Sequence, residues 1–263
     1  MLNDIKESVL MSLDGRNVEL FPYIPYLLKD LWELGSSADQ VIKLLDQQDI
    51  DFQRRRYRIL DLGCGKGAVS IPLAKKYGFT VTGIDAVSEF VEIAQEKALE
   101  WGVGEMCRFE VGDIREYIQK CPSADIIILG SIGPVFGNVQ QTLRALAPCL
   151  LPRGMIILDD GYIPDGKEFY HNGYLPEAQY MSQIRRAGFR IIDSAIYSRL
   201  EILKSNREIY AQIKKRADEL MAMYPGLDYV FQDYIRSQHI ENEVLENNVT
   251  CALFLIGTNV NHE

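Results

Sequence analysis

Between Arg58 and Ser70 the chain reads RILDLGCGKGAVS. A short apolar run stops abruptly, and glycines then recur at alternate positions, Gly63, Gly65 and Gly67. The run has the length and composition of a buried strand. Glycines that open the next helix let backbone pass close to a ligand, because no side chain stands in the way. A strand that feeds a helix through so tight a loop belongs to a βαβ unit, whose helix packs back onto a parallel sheet.

The same alternation continues downstream. FTVTGID, CRFEVG, ADIIILG and GMIILDD read as strands. AVSIPLAKKY, SEFVEIAQEKALEW, IREYIQK and VQQTLRALAPCL read as the helices between them, with Pro72 tolerated only near a helix start. A fully apolar run such as ADIIILG suits a strand covered on both faces. A helix over PEAQYMSQIRRAG and two more strands, FRIIDSAIY and VTCALFLIG, follow. Ahead of the first strand, YLLKDLWEL and ADQVIKLLDQ carry helical spacing. The expected fold is α/β: a doubly wound, Rossmann-like, seven-stranded, mostly parallel sheet with N-terminal helices and a helical insertion before the last strand. The expected boundaries are 1–50 for an N-terminal lid or cap, 51–198 with 249–263 for the sheet domain, and 199–248 for the insertion.

Composition narrows the function. Lys and Arg total 28 against 37 Asp and Glu, a balance of −9 that argues against a nucleic-acid footprint. The run RRRYR at 54–58 reads as a solvated stretch before a strand. Five cysteines are scattered without close pairs and only three histidines occur, so no metal site and no disulfide framework is expected. The amphipathic N-terminus lacks the pattern of a secretory signal, and no apolar run is long enough to span a bilayer; a cytoplasmic location is the expectation.

In an open parallel sheet, ligands bind at the carboxyl ends of the strands. Three acids fall at those ends. Asp61 closes the first strand just before the glycines. The spacing G-x-G-x-G behind an acid fits a pyrophosphate poorly and a ligand with ammonium and sulfonium groups well. Asp85 follows about twenty residues on, where a carboxylate accepts from ribose hydroxyls. Asp113, in VGDI, can accept from an adenine amino group, with Ile114 against the ring.

LDLGCGKG, GIDAVSEFVEIAQ, VGDIREY, ADIIILGSIGPV and LPRGMIILDDGY resemble, in register, the successive motifs of class I S-adenosylmethionine-dependent methyltransferases. The resemblance covers about 58–197 and the last strand. It implies S-adenosylmethionine as cofactor and S-adenosylhomocysteine as product. By it, Asp61, Gly63, Cys64, Gly65 and Gly67 shape the methionine end, Asp85 and Ala86 meet the ribose, Asp113 and Ile114 meet the adenine, and Gly130 lies beside the methyl donor.

Methyl transfer mainly needs alignment and exclusion of water, so it leaves no obligatory catalytic signature. LGSIGPVFG lacks the tetrad of methyltransferases acting on exocyclic amines of nucleobases, which favours a small-molecule acceptor. The candidates for catalysis are Asp160, Tyr162 and His171, in the long aromatic stretch after the fifth strand. Those for acceptor binding are Tyr23, Tyr174, Tyr229 and Tyr234. The insertion is expected to cover the acceptor or to join two copies of the chain in a homodimer. An RNA methyltransferase and a non-catalytic protein that binds the same cofactor remain as alternatives.

Overall fold

The computed structural model describes residues 5–52 and 54–259. Residues 1–4, 53 and 260–263, at the edges of the expected segments, lie outside the described residues. In chain order the elements are α1 (Ile5–Ser12), a 3-10 turn (Val18–Tyr23), α2 (Ile24–Leu27), α3 (Ala38–Asp46), β1 (Arg58–Leu62), α4 (Ser70–Tyr77), β2 (Thr80–Asp85), α5 (Ser88–Glu100), β3 (Cys107–Val111), α6 (Ile114–Tyr117), β4 (Ala124–Gly130), α7 (Val139–Leu146), β5 (Leu150–Tyr162), α8 (Glu177–Arg186), β6 (Phe189–Ile196), α9 (Arg199–Met223), α10 (Asp228–Asn248) and β7 (Thr250–Thr258).

The strands form one sheet in the order β3-β2-β1-β4-β5-β7-β6. β1 to β5 run parallel, and β7 is antiparallel to both β5 and β6. Successive residues of a strand face opposite ways. Ile126 and Ile128 of β4 therefore join one core with α3, α4 and α5, while Ile127 and Leu129 join another with α7 and α8. This two-sided cover explains why the strand is apolar throughout.

A third core lies off the sheet. Leu20, Ile24 and Leu27 of the N-terminal segment pack with Ile213, Ala217 and Leu220 of α9 and Val230, Phe231 and Tyr234 of α10. Polar ties reinforce it: Tyr26 donates to Glu219 Oε2 at 2.7 Å, and Gln238 Nε2 donates to the carbonyl of Leu13 at 2.9 Å. The two long insertion helices thus support the N-terminal segment. Val87 and Phe90 connect this core to the sheet's carboxyl edge.

One expected helix is cut short. YLLKDLWEL is helical only to Leu27, and 28–37 is irregular. The carbonyls of Leu28 and Leu31 accept from Lys66 Nζ, at 2.5 Å each. A charged donor from the glycine loop captures oxygens that a continuing helix would need. No helix among the described residues is long and apolar enough to cross a membrane.

Candidate active site

A cavity partly open to solvent lies over the carboxyl ends of β1 to β4. Strand order reverses between β1 and β4, which is where an open α/β sheet leaves room for a ligand. Its floor runs from Asp61 and the glycine loop to Asp85–Val87, then to Asp113–Arg115, and on the other side to Gly130–Ile132. Its roof is α1, through Ile5 and Val9, with Leu13 just after it and the irregular segment at 32–36.

The loop takes its shape from left-handed backbone. Gly63 has φ +74° and Gly67 φ +73°, values that side chains other than glycine's rarely tolerate. A Cβ at Gly63 would also stand 2.5 Å from Ile132 Cγ2, and one at Gly67 would stand 2.7 Å from Ile71 Cδ1. Gly63 helps shape the cavity, whereas Gly67 does not line it and serves to seat α4 against β3's Phe109. Asp85 braces the loop: Oδ2 accepts from Gly65 N at 2.8 Å and Oδ1 from Val87 N at 2.9 Å. Each oxygen keeps a lone pair for a ligand.

Burial governs the electrostatics. Asp61 is 3% exposed, and burial pushes its carboxyl up to about 7, with the Asp85 charge adding to the rise. Burial also raises Asp85, against the pull of the amides of Val87, Gly65 and Ala86. Cys64 lies between these acids, and burial, then their charges, hold it as a neutral thiol. Asp113 is different. Its carboxylate caps α6 through Arg115 N at 2.8 Å and is gripped by the Arg115 guanidinium at 2.6–3.0 Å. That grip lowers its pKa. At the end of β3 the cavity therefore meets an Asp113–Arg115 ion pair rather than a lone acid, with Ile114 buried beside it.

Sequence reasoning missed Lys66 and, within the expected N-terminal lid, the roof residues Trp32 and Ser36. Lys66 is 2% exposed and burial lowers its ammonium to about 8. Besides its two carbonyl partners, its own carbonyl accepts from Trp32 Nε1 at 3.0 Å. A lysine inside a glycine loop signals anion binding as readily as an internal clasp, and only the fold separates the two.

Of the expected residues, Asp61, Gly63, Cys64, Gly65, Asp85, Ala86, Asp113, Ile114 and Gly130 are brought together around the cavity. The expected acceptor and catalytic residues are not. Asp160 accepts from Tyr180 at 2.9 Å, and Tyr162 is 6% exposed within the core beside Tyr180 and Phe254. His171 stacks between Phe169 and Tyr174, its Nδ1 accepting from Gly173 N at 3.1 Å. Tyr174 donates to Glu241 at 2.6 Å. Tyr23 packs edge-on against Tyr224 and Phe231, Tyr229 bonds Glu19 at the surface, and Tyr234 is buried. These side chains hold the connection after β5 and the insertion to the rest of the fold, because their rings had apolar neighbours nearer than the sheet edge.

Buried Asp61, with no cation beside it among the described residues, is what a ligand's ammonium would satisfy. The acids at the ends of β1 and β2 and the apolar contacts of Val87, Phe90 and Ile114 fit S-adenosylmethionine from its amino-acid end to its adenine. The fold is Rossmann-like, and its site has the layout that such a ligand would need.

The family model described as a methyltransferase domain matches residues 59–154 of this chain. The ubiquinone biosynthesis O-methyltransferase of Rickettsia akari is 34% identical over 106 residues, 39% of each protein. The chain thus spans about two fifths of the length of the curated relatives it matches. A methyltransferase from Geobacter sulfurreducens, solved with S-adenosylhomocysteine, superposes with a TM-score of 0.75 at 17% identity, over 90% of this chain and 98% of that one. The [4+2]-cyclase SpnF superposes at 0.68 and 16% identity, over 99% and 98%. At such identities these two share the fold.

Proposed function

We propose that the protein transfers the methyl group of S-adenosylmethionine to a small or medium-sized metabolite held under α1 and the 32–36 segment. One observation carries this reading: a single cavity joins the acid-lined floor, where the cofactor would lie, to a largely apolar roof that closes over Gly130. Asp61 would hold the ammonium, Asp85 the ribose hydroxyls, and Ile114 with Phe90 the adenine. The cofactor supplies an electrophilic methyl group when bound; the chain aligns the acceptor and keeps water out. The N-terminal segment acts as the lid, and the insertion as its support.

The basic runs speak for a small acceptor rather than RNA. Arg55 pairs with Asp125 at 2.7 Å and lies over Tyr57, Lys214 pairs with Asp218, and Arg216 pairs with Asp30 and Glu219. Internal acids already engage these cations, and a phosphate backbone would have to displace them.

The test has two arms. Calorimetry with S-adenosylmethionine, S-adenosylhomocysteine and NAD should give micromolar affinity for the first two and none for the third. Label transfer from methyl-labelled S-adenosylmethionine should then appear in a small-molecule extract and not in bulk tRNA. Binding without transfer to any fraction would favour a cofactor-binding protein that does another reaction; NAD binding alone would sink the assignment.

A further inference from the structure

Among the described residues no histidine lines the cavity, and its acids lie on the floor assigned to the cofactor. Of the serines that line it, Ser8, Ser12, Ser36 and Ser131, one is buried without a partner. Ser36 lines the roof, is 5% exposed, and its hydroxyl has no hydrogen-bond partner. It sits directly over the end of β4: a Cβ on Gly130 would stand 2.9 Å from Ser36 Oγ. A buried hydroxyl without a partner is costly, and a ligand that bonds it removes the cost.

Behind Ser36 stands Asp159. Register places it opposite Gly130, on the neighbouring strand β5. Tyr197 donates to its Oδ2 at 2.7 Å, which leaves the other oxygen free of that bond. Ser36 lies near enough to pull this carboxyl down against burial, although no hydrogen bond joins the two in the structure. The other titratable groups facing Asp159 are Asp160, Tyr180 and Cys251, and none is a cation. The same cavity is lined by Ile5, Val9, Leu34, Ile132 and Val135, with Ser8, Ser12 and Ser131 among them.

On the reading that this cavity holds the methyl acceptor, we propose that Ser36, backed by Asp159, receives the acceptor's hydroxyl, and that the acceptor is an uncharged, largely apolar phenol. The acceptor O–H donates to Ser36 Oγ, and Ser36 in turn donates to Asp159. As the acceptor oxygen loses its proton, that proton passes to Ser36 Oγ and the proton of Ser36 passes to the carboxylate, which ends neutral. Asp159 acts through Ser36 and is a positioning residue. Burial holds its carboxyl up to about 6, so it is ionised at neutral pH. A base of that strength lies about four pK units below a phenol, near 10, and about ten below a water-like hydroxyl, so a phenol is the acceptor it can serve. Among the described residues the cations on the cavity wall are Lys66 and Arg115, and both are already engaged, which disfavours an anionic acceptor.

The probe pair is 2-naphthol and 2-methoxynaphthalene, the same rings with and without the hydroxyl hydrogen. Each is titrated by calorimetry into the full chain saturated with S-adenosylhomocysteine, with loading verified for every variant. At pH 7.5 the naphthol should bind the wild type about ten-fold tighter than the ether, or better. The preference should fade as pH falls below about 6. Ser36→Ala should reduce it to about two-fold or less, and Asp159→Asn should make it independent of pH. Tyr197→Phe removes a donor to the carboxylate and should move the fading point upward, which keeps the relay testable if Asp159→Asn does not fold. Equal binding of the two probes, binding of neither, an undiminished preference in Ser36→Ala, or an unmoved fading point in Tyr197→Phe would each overturn the proposal. Failure of the wild type to bind S-adenosylhomocysteine would instead overturn the cofactor reading beneath it.

Discussion

Trp32 Nε1 donates to the carbonyl oxygen of Lys66 at 3.0 Å, while Lys66 Nζ reaches back to the carbonyls of Leu28 and Leu31. The roof and the floor of the cavity are thereby fastened to each other by three hydrogen bonds, two of them from an ammonium. Removing Lys66 should loosen both. Lys66→Met keeps most of the buried stem and leaves two carbonyls without their donor, at a cost of about 1–3 kcal/mol in stability. Hydrogen exchange over 28–36 should accelerate and S-adenosylhomocysteine should bind more weakly. Unchanged exchange and unchanged affinity would show that the clasp is incidental.

The chain's two tryptophans, Trp32 and Trp101, lie with ring centroids 5.4 Å apart, and Trp32 lines the cavity. Intrinsic fluorescence should therefore change on titration with S-adenosylhomocysteine, saturating at the calorimetric affinity. Trp101→Phe should retain the response and Trp32→Phe should abolish it. A signal that survives the loss of Trp32 would place the ligand away from the roof.

Asp61 makes cofactor binding depend on pH. Burial raises its native pKa from 3.8 to about 7. The native state therefore holds this proton over a range where the unfolded chain has lost it, and the stability contributed is full below 3.8 and is lost as pH rises through about 7. A bound ammonium favours the ionised form and reverses the shift. At pH 6.5 binding of S-adenosylhomocysteine should release roughly half a proton or more, and affinity should rise between pH 5.5 and 7.5. Calorimetry in buffers of different ionisation enthalpy measures the release. Asp61→Asn should bind weakly with no release at this site; an equal release from that variant would assign the proton to another group.

The floor of this site was legible residue by residue in the sequence, whereas for the roof only the segment, 1–50, was. Gly63, Gly65, Asp61 and Asp85 are tied to strand ends, and the alternation of strand and helix places strand ends without any knowledge of tertiary packing. Trp32 sits in a stretch whose spacing reads as a helix and Ser36 in the short link after it, and two hydrogen bonds from Lys66, more than thirty residues away, undo that helix. His171 and Tyr174 mislead for a related reason: a loop rich in polar aromatics resembles a binding loop, yet here the rings stack on one another and on Glu241. Asp113 was placed correctly at the end of β3, but Arg115, two residues on, takes its carboxylate.

The aromatic half of the insertion supports the roof, and two tyrosines separate that role from acceptor binding. Tyr234 is 2% exposed in the core formed by α9, α10 and the N-terminal segment. Tyr229 is 55% exposed and its hydroxyl bonds Glu19 at the surface. Neither lines the cavity. Tyr234→Ala removes a full ring from a packed site and should cost about 3–5 kcal/mol in stability. Cofactor affinity should fall only as far as the N-terminal segment loosens. Tyr229→Ala removes one exposed hydrogen bond, so its cost should stay within about 1 kcal/mol. Urea unfolding of the two variants, with S-adenosylhomocysteine affinity measured well below the unfolding midpoint, makes the comparison. If Tyr234→Ala were as stable as the wild type while label transfer to the small-molecule fraction was lost, the ring would belong to the acceptor site and the account of α10 as a support would be wrong.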